Sequence, residues 1–330
     1  MGRSIVMYGV ALIAAGVCRG QIPLSGDTVV KFATAGEGRE ILTTRDDFIR
    51  AFSPFDRAAR VKTDREVSEK EFLEFVGRSV LDWTEAEKAS LVSSLERLKT
   101  PFDRLALPWP QVIYVVKTTG NEEGGAPYTR GHALILPNAV LTPNRPLDPR
   151  LVSHELFHIL SRTNPRLRDR LCQAIGFEKC SEIEIPETLK GRKITNPDAP
   201  ANDHCIRVQV AGADVWAVPI LFSRTDQYDV NRGGEFFQYM QFQLLLVDRQ
   251  SSSPAAKPRY EGSQPRLVDV QQVTGFYEQV GKNTRYIIHP EEILADNFAD
   301  LVLQDRQVPS PEILKKMQNV LTEKPAPQTE

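Results

Sequence analysis

The chain has 330 residues, with 41 lysines and arginines against 43 aspartates and glutamates and a formal net charge of −2 at pH 7. Hydrophobic residues make up 41% and charged residues 25%, which excludes a collagen-like, disordered or multi-span membrane body. The even charge balance removes the basic field on which nucleic-acid binding depends, and the length suits one large domain or two modest ones.

Residues 1–20 carry a basic start at Arg3 and an apolar run over 5–17. That run falls short of the roughly 20 apolar residues a membrane-spanning helix needs. It fits a secretory signal peptide, with small Cys18 and Gly20 ahead of a cleavage point before Gln21. The expectation is a secreted or periplasmic chain with no membrane span in its mature form. Cys172, Cys180 and Cys205 would then meet an oxidising compartment. The nearest pair, Cys172 and Cys180, is the expected bridge, with Cys180–Cys205 as the alternative.

Residues 21–105 read as a mainly helical segment, with a short strand at 28–33 and a short helix at 46–52. Ser68 with Glu71, and Thr84 with Glu87, form capping boxes ahead of amphipathic runs. Pro101 is expected to stop the second helix. The remainder, residues 106–330, changes character. Residues 112–116 and 132–136 are short apolar runs read as strands, and 151–162 reads as a helix. A hairpin at 206–210 and 215–222 and a strand within 236–247 follow. Residues 251–265 form an exposed loop. Helices at 290–303, with Pro290 in the first turn, and at 312–321 end the chain. The class is α+β, with a small mixed or antiparallel sheet, a helical N-terminal segment and a β-rich insertion.

The chemistry concentrates at residues 151–160, Leu-Val-Ser-His-Glu-Leu-Phe-His-Ile-Leu. His154 and His158 stand four apart on a helix, so both imidazoles leave one face and can reach a single Zn²⁺. Glu155 is rotated away from that row and can serve as general base toward a metal-bound water.

This pattern resembles the zincin metallopeptidases. Ser161 and Asn164 stand where the metzincin branch has Gly and a third His, so the likeness is to the gluzincin branch. That branch takes a third ligand from a Glu on a later helix, followed four residues on by an acid that orients a ligand histidine. Glu292 and Asp296 match, and theirs is the only Glu-x-x-x-Asp spacing in the chain. Glu178, with Glu182 four further on, is the rival third ligand; Gly176 and Pro186 argue against a helix there. The gap from His158 to Glu292 is longer than the usual gluzincin pattern, and the 206–247 strands would fill it.

The resemblance implies an exported zinc peptidase on a zincin-like fold, with one Zn²⁺ per chain and a peptide or protein substrate. His154, His158 and Glu292 bind the metal, Glu155 moves the proton, and Asp296 positions an imidazole. It further implies an edge strand for the substrate, for which His132, Ala133 and Leu134 are candidates. It also implies an oxyanion donor, with Tyr286 first and His289, Tyr277 and His204 behind it. The contrasting reading is a non-catalytic protein of the same fold in which zinc is structural, a role with no need of Glu155.

Overall fold

The structure is a computed structural model that describes residues 21–105, 107–142, 145–250, 253–305 and 307–323. The expected signal peptide lies outside the described residues. Among these residues no helix is long and apolar enough to cross a membrane.

The first sheet is built on the 112–116 run. Its strands are β1 (Gln21–Ser25), β2 (Thr28–Phe32), β3 (Val80–Leu81), β4 (Val112–Thr118), β5 (Tyr128–Arg130) and β6 (Ala133–Pro137). The order is β1-β2-β4-β6-β5, with β3 on the end of β4. β2, β4 and β6 are parallel, while β1, β3 and β5 add antiparallel. Side chains alternate between faces. Ile113, Val115, Leu134 and Leu136 enter one core, and Val116, Ala133 and Ile135 enter the other. With both faces covered, the strands read as unbroken apolar runs.

Short helices of residues 35–79 cover the second face through Leu42, Phe48, Phe72 and Val76. The first face receives three longer helices, at Glu85–Leu105, Pro149–Thr163 and Pro290–Leu303. The last two are called here the motif helix and the carboxylate helix. Phe102, Phe157 and Phe298 lock these three together, with Phe298 centred 6.2 Å from Phe102 and 5.3 Å from Phe157.

The second sheet holds β7 (Phe177–Lys179), β8 (His204–Val210), β9 (Ala213–Ser223) and β10 (Met240–Arg249), with short strands added at its margins. The β8–β9 hairpin turns on Ala211 and Gly212, at φ 50° and 81°. Two successive positive φ values mark the tight turn whose twist matches paired strands, and Gly212 meets that demand without steric cost. This sheet lies in sequence between the motif helix and the carboxylate helix, where a β-rich insertion was expected.

The mixed α+β class stands, with two local corrections. Residues 21–105 are mainly helical, with the strand expected at 28–33 present as β2; β1 precedes it, and β2 pairs parallel with β4. Pro101 does not end its helix, which runs on to Leu105. Burial of Leu98 and Phe102 on one face holds it together through the lost hydrogen bond. The 132–136 strand is not an edge. β6 lies between β4 and β5, and His132 sits in the turn before it, exposed.

One buried ionic cluster ties the N-terminal helices to the rest. Arg60 is 2% exposed and reaches Asp56 at 2.7 Å, Glu123 at 2.7 and 3.0 Å and the Thr195 carbonyl at 3.0 Å. Burial raises the Glu123 carboxyl to about 7 against the pull of Arg60. Its folded value therefore lies above the unfolded one. The stability it contributes is fully present below about pH 4.5 and is lost as pH rises through about 7. In urea titrations across that window, wild type minus Glu123→Gln should lose stability as pH rises. Parallel curves would remove Glu123 as the source.

Candidate metal centre

The motif helix starts where Asp148 accepts from the Arg150 amide at 2.9 Å and Pro149 occupies the first turn. It ends where Asn164 Nδ2 donates to the Leu160 carbonyl at 2.8 Å. Val152, Leu156, Phe157, Ile159 and Leu160 are buried, which leaves the His154–His158 stripe toward the carboxylate helix. That second helix is capped by His289, whose Nδ1 accepts from the Glu291 amide at 3.2 Å. Glu291 and Glu292 thus sit in its first turn, where the helix dipole favours negative charge.

His154 Nε2 lies 3.2 Å and His158 Nε2 3.5 Å from the same oxygen, Oε2 of Glu292. Ligand atoms on a tetrahedral Zn²⁺, at about 2.0–2.2 Å from it, stand about 3.3–3.5 Å from one another. The three donors fit one ion. Both nitrogens of buried His158 and Oε2 of buried Glu155 have no hydrogen-bond partner. Orphaned buried polar atoms of this kind call for a missing partner, and a cation or its water would supply it.

Around the three donors stands a layer of polar contacts. Asp296 Oδ1 lies 3.0 Å from His154 Nδ1, and Asp296 also accepts from Thr284 Oγ1. Glu291 plays the parallel part more loosely, 3.9 Å from His158 Nδ1, with its other oxygen held by Ser161 Oγ at 2.7 Å. Asn196 Nδ2 donates to Glu292 Oε1 at 2.5 Å, which leaves Oε2 to face the histidines. Asp198 groups with Glu155 and His158, their ligand atoms lying within 4.8 Å of one another. Its Oδ1 is fixed by the Thr129 amide at 2.8 Å and the Thr129 hydroxyl at 2.6 Å.

Charge follows from this packing. Burial opposes ionisation of Glu292, but His158 and His154 hold its carboxyl well below the ordinary range. Burial would lower His154, yet Asp296 and Glu292 hold it up at about 9. Burial and then Asp198 push Glu155 up to about 8. A divalent cation at the three donors would act in the opposite sense on that carboxyl.

Other expected residues divide clearly. Tyr286 lies at the rim, 41% exposed, its ring centred 6.3 Å from that of His154. Burial of its hydroxyl end and the carboxylates of Glu292 and Asp198 keep the phenol protonated. His289 is committed on both nitrogens, to the Glu291 amide and to the Ala201 carbonyl at 3.1 Å. His204 lies between Asp203 at 2.7 Å and Asp169 at 3.1 Å, outside the donor cluster. Tyr277 packs against the apolar core. Glu178 is on β7, paired with Arg249 at 2.9 Å, and Glu182 accepts from the Asn202 amide; neither joins the histidines. β5, the edge strand beside β6, has its Thr129 amide already bound by Asp198. Neither the Cys172–Cys180 bridge nor the Cys180–Cys205 alternative is formed: Cys172, Cys180 and Cys205 are all free thiols, and Cys172 and Cys180 belong to separate apolar clusters.

Asn196, Asp198 and Glu291 were not anticipated. Glu291 adjoins Glu292 and was legible as a second acid in a helix first turn. Residues 196–203, rich in Pro, Asn and Asp, signal a loop and nothing of where it goes. No family model, curated protein or solved structure matches the chain.

One metal ion per chain is the expected stoichiometry by elemental analysis after mild purification. Glu292→Gln or His158→Ala should lose it. Asp296→Asn should weaken binding by about 10- to 100-fold in chelator competition, because it loosens a ligand imidazole. Unchanged affinity in all three variants would refute the assignment.

Proposed function

We propose that the chain is a zinc-dependent hydrolase of zincin-like fold, with peptide bonds as its substrate class. The observation that carries this reading is the pairing of a three-donor cluster sized for one ion with an adjacent carboxylate oxygen, Glu155 Oε2, that is buried and without a partner. Two imidazoles and one carboxylate are a donor set that suits Zn²⁺ and leaves a coordination position open.

His154, His158 and Glu292 would hold the ion, with Asp296 fixing the His154 tautomer and Asn196 fixing the Glu292 rotamer. A bound Zn²⁺ supplies Lewis acidity, polarising a substrate carbonyl and making water acidic enough to attack near neutral pH. Glu155 Oε2 takes the proton from the attacking water and returns it to the departing nitrogen. Asp198 places a second negative charge beside Glu155 and raises its affinity for that proton. Tyr286, neutral at the rim, donates its hydroxyl to the developing oxyanion.

The structural-zinc reading has no use for a Glu155 buried beside the donors, and burying that carboxyl unpaired is costly. Glu155→Gln decides between them. It should keep the metal and lose hydrolysis of a denatured protein or peptide library by about 10²-fold or more. A variant that retains full turnover would end the peptidase proposal. Tyr286→Phe should keep its metal and lower kcat, by about 10-fold or more, with little change in KM; unaltered kcat would remove Tyr286 from the chemistry.

A further inference from the structure

Cys180 follows β7 directly and Cys205 lies in β8. The register pairs Glu178 with Cys205 and Lys179 with His204, and continues as the Cys180 amide donates to the Asp203 carbonyl at 2.8 Å. Residues 178, 180, 203 and 205 therefore project to one face of the sheet. Cys180 and Cys205 enter the same apolar cluster, with Ile183, Val218, Ile220 and Leu245. Cys172 lies across the sheet in the other core.

Between the two cysteines the chain leaves the sheet and returns. Residues 181–204 form that excursion, and it carries Asn196 to Glu292, Asp198 to Thr129 and the Ala201 carbonyl to His289. The two thiols stand at its neck. We propose that Cys180 and Cys205 are a disulfide site, and that the bond closes the neck of the segment that sets Asn196 and Asp198 against the metal centre. The bond itself is independent of the hydrolase reading; only its consequence for the centre rests on it.

The surroundings assign roles in its formation. Arg249 Nη1 lies 3.1 Å from Cys205 Sγ and also binds Glu178 at 2.9 Å. The guanidinium beside Cys205 Sγ favours the thiolate of that residue. Cys205 is thus the attacking sulfur. Its thiolate attacks a low-molecular-weight disulfide such as glutathione disulfide, giving a mixed disulfide and one released thiolate, which takes up a proton. Cys180 then loses its proton to solvent and displaces the second small thiolate, which is protonated in turn. Two protein thiols are oxidised, one glutathione disulfide is reduced to two thiols, and the Sγ–Sγ bond forms.

The test refolds the full chain from denaturant in a glutathione redox buffer and, separately, in dithiothreitol. Each sample is denatured with an alkylating reagent and its peptides are mapped without reduction. The oxidised sample should give one linked peptide pair, Cys180 with Cys205, lighter by two hydrogens, and an alkylated Cys172. Alkylation of both Cys180 and Cys205, or a link from either to another cysteine, overturns the site. Hydrogen exchange then reads the neck. Amides of residues 181–204 should exchange about tenfold more slowly in the oxidised than in the reduced wild-type chain, a difference that Cys180→Ser abolishes. Equal exchange in a linked chain overturns the closing role. Neither readout measures hydrolysis, so failure here is distinct from failure of the hydrolase assignment.

Discussion

Two buried helices run antiparallel with a polar seam between them, and the rest of the molecule is arranged around that seam. Stepping four residues up the motif helix matches stepping four down the carboxylate helix. Arg150 meets Asp300, His154 meets Asp296 and His158 meets Glu292; past them, off that step, Ser161 meets Glu291. A helix repeats its face about every 3.6 residues, so a spacing of four keeps each partner on the shared side. The seam is costly inside an apolar core, since buried ionised groups need compensation. Every carboxylate on it has an imidazole, a guanidinium or a hydroxyl as partner, and the three donors that could hold a metal ion fall at its centre.

The surrounding packing fixes the separation of the two helices. Phe157 and Phe298, one from each, meet on the side away from the seam and rest on Phe102 of the long helix. Because such interiors are close-packed, the helices cannot slide by a turn without opening a void. The insertion between them then brings its own polar side chains back. Thr195 is anchored by Asp56 at 2.8 Å, within the Arg60 cluster, and the next residue, Asn196, reaches Glu292. The N-terminal helices therefore help to hold the Glu292 carboxylate although none of their residues enters the site.

The sequence made legible what repeats along one helix or strand. The four-residue spacings of His154 and His158, and of Glu292 and Asp296, project onto faces by helix geometry alone, and the structure brings both pairs together. Apolar runs gave the central strands because burial on both sides leaves few polar positions. What depended on pairing between distant segments was not legible. Whether β6 is an edge is decided by β5, a three-residue strand inside a polar loop. Which cysteine faces which is decided by the β7–β8 register. The part played by Asn196 is set by anchors at Asp56, Thr129 and His289, none of which leaves a local pattern.

The two histidines are not equivalent, and the difference says where the site is incomplete. His154 is held at both nitrogens, by Asp296 and Glu292, so its ring orientation is satisfied by protein alone. His158 is 1% exposed, and neither of its nitrogens makes a hydrogen bond. Glu291, the carboxylate on its Nδ1 side, is turned partly toward Ser161. An imidazole in that state costs more than its apolar contacts explain. Glu155 shares the condition one helical step away, with Oε2 buried and unbonded. His158 belongs to both donor groupings, with His154 and Glu292 and with Glu155 and Asp198, so a cation held by the first would lie next to Glu155. Glu291 Oε2 is buried without a partner as well, so the polar cost of the seam is concentrated around His158, where the proposed chemistry takes place.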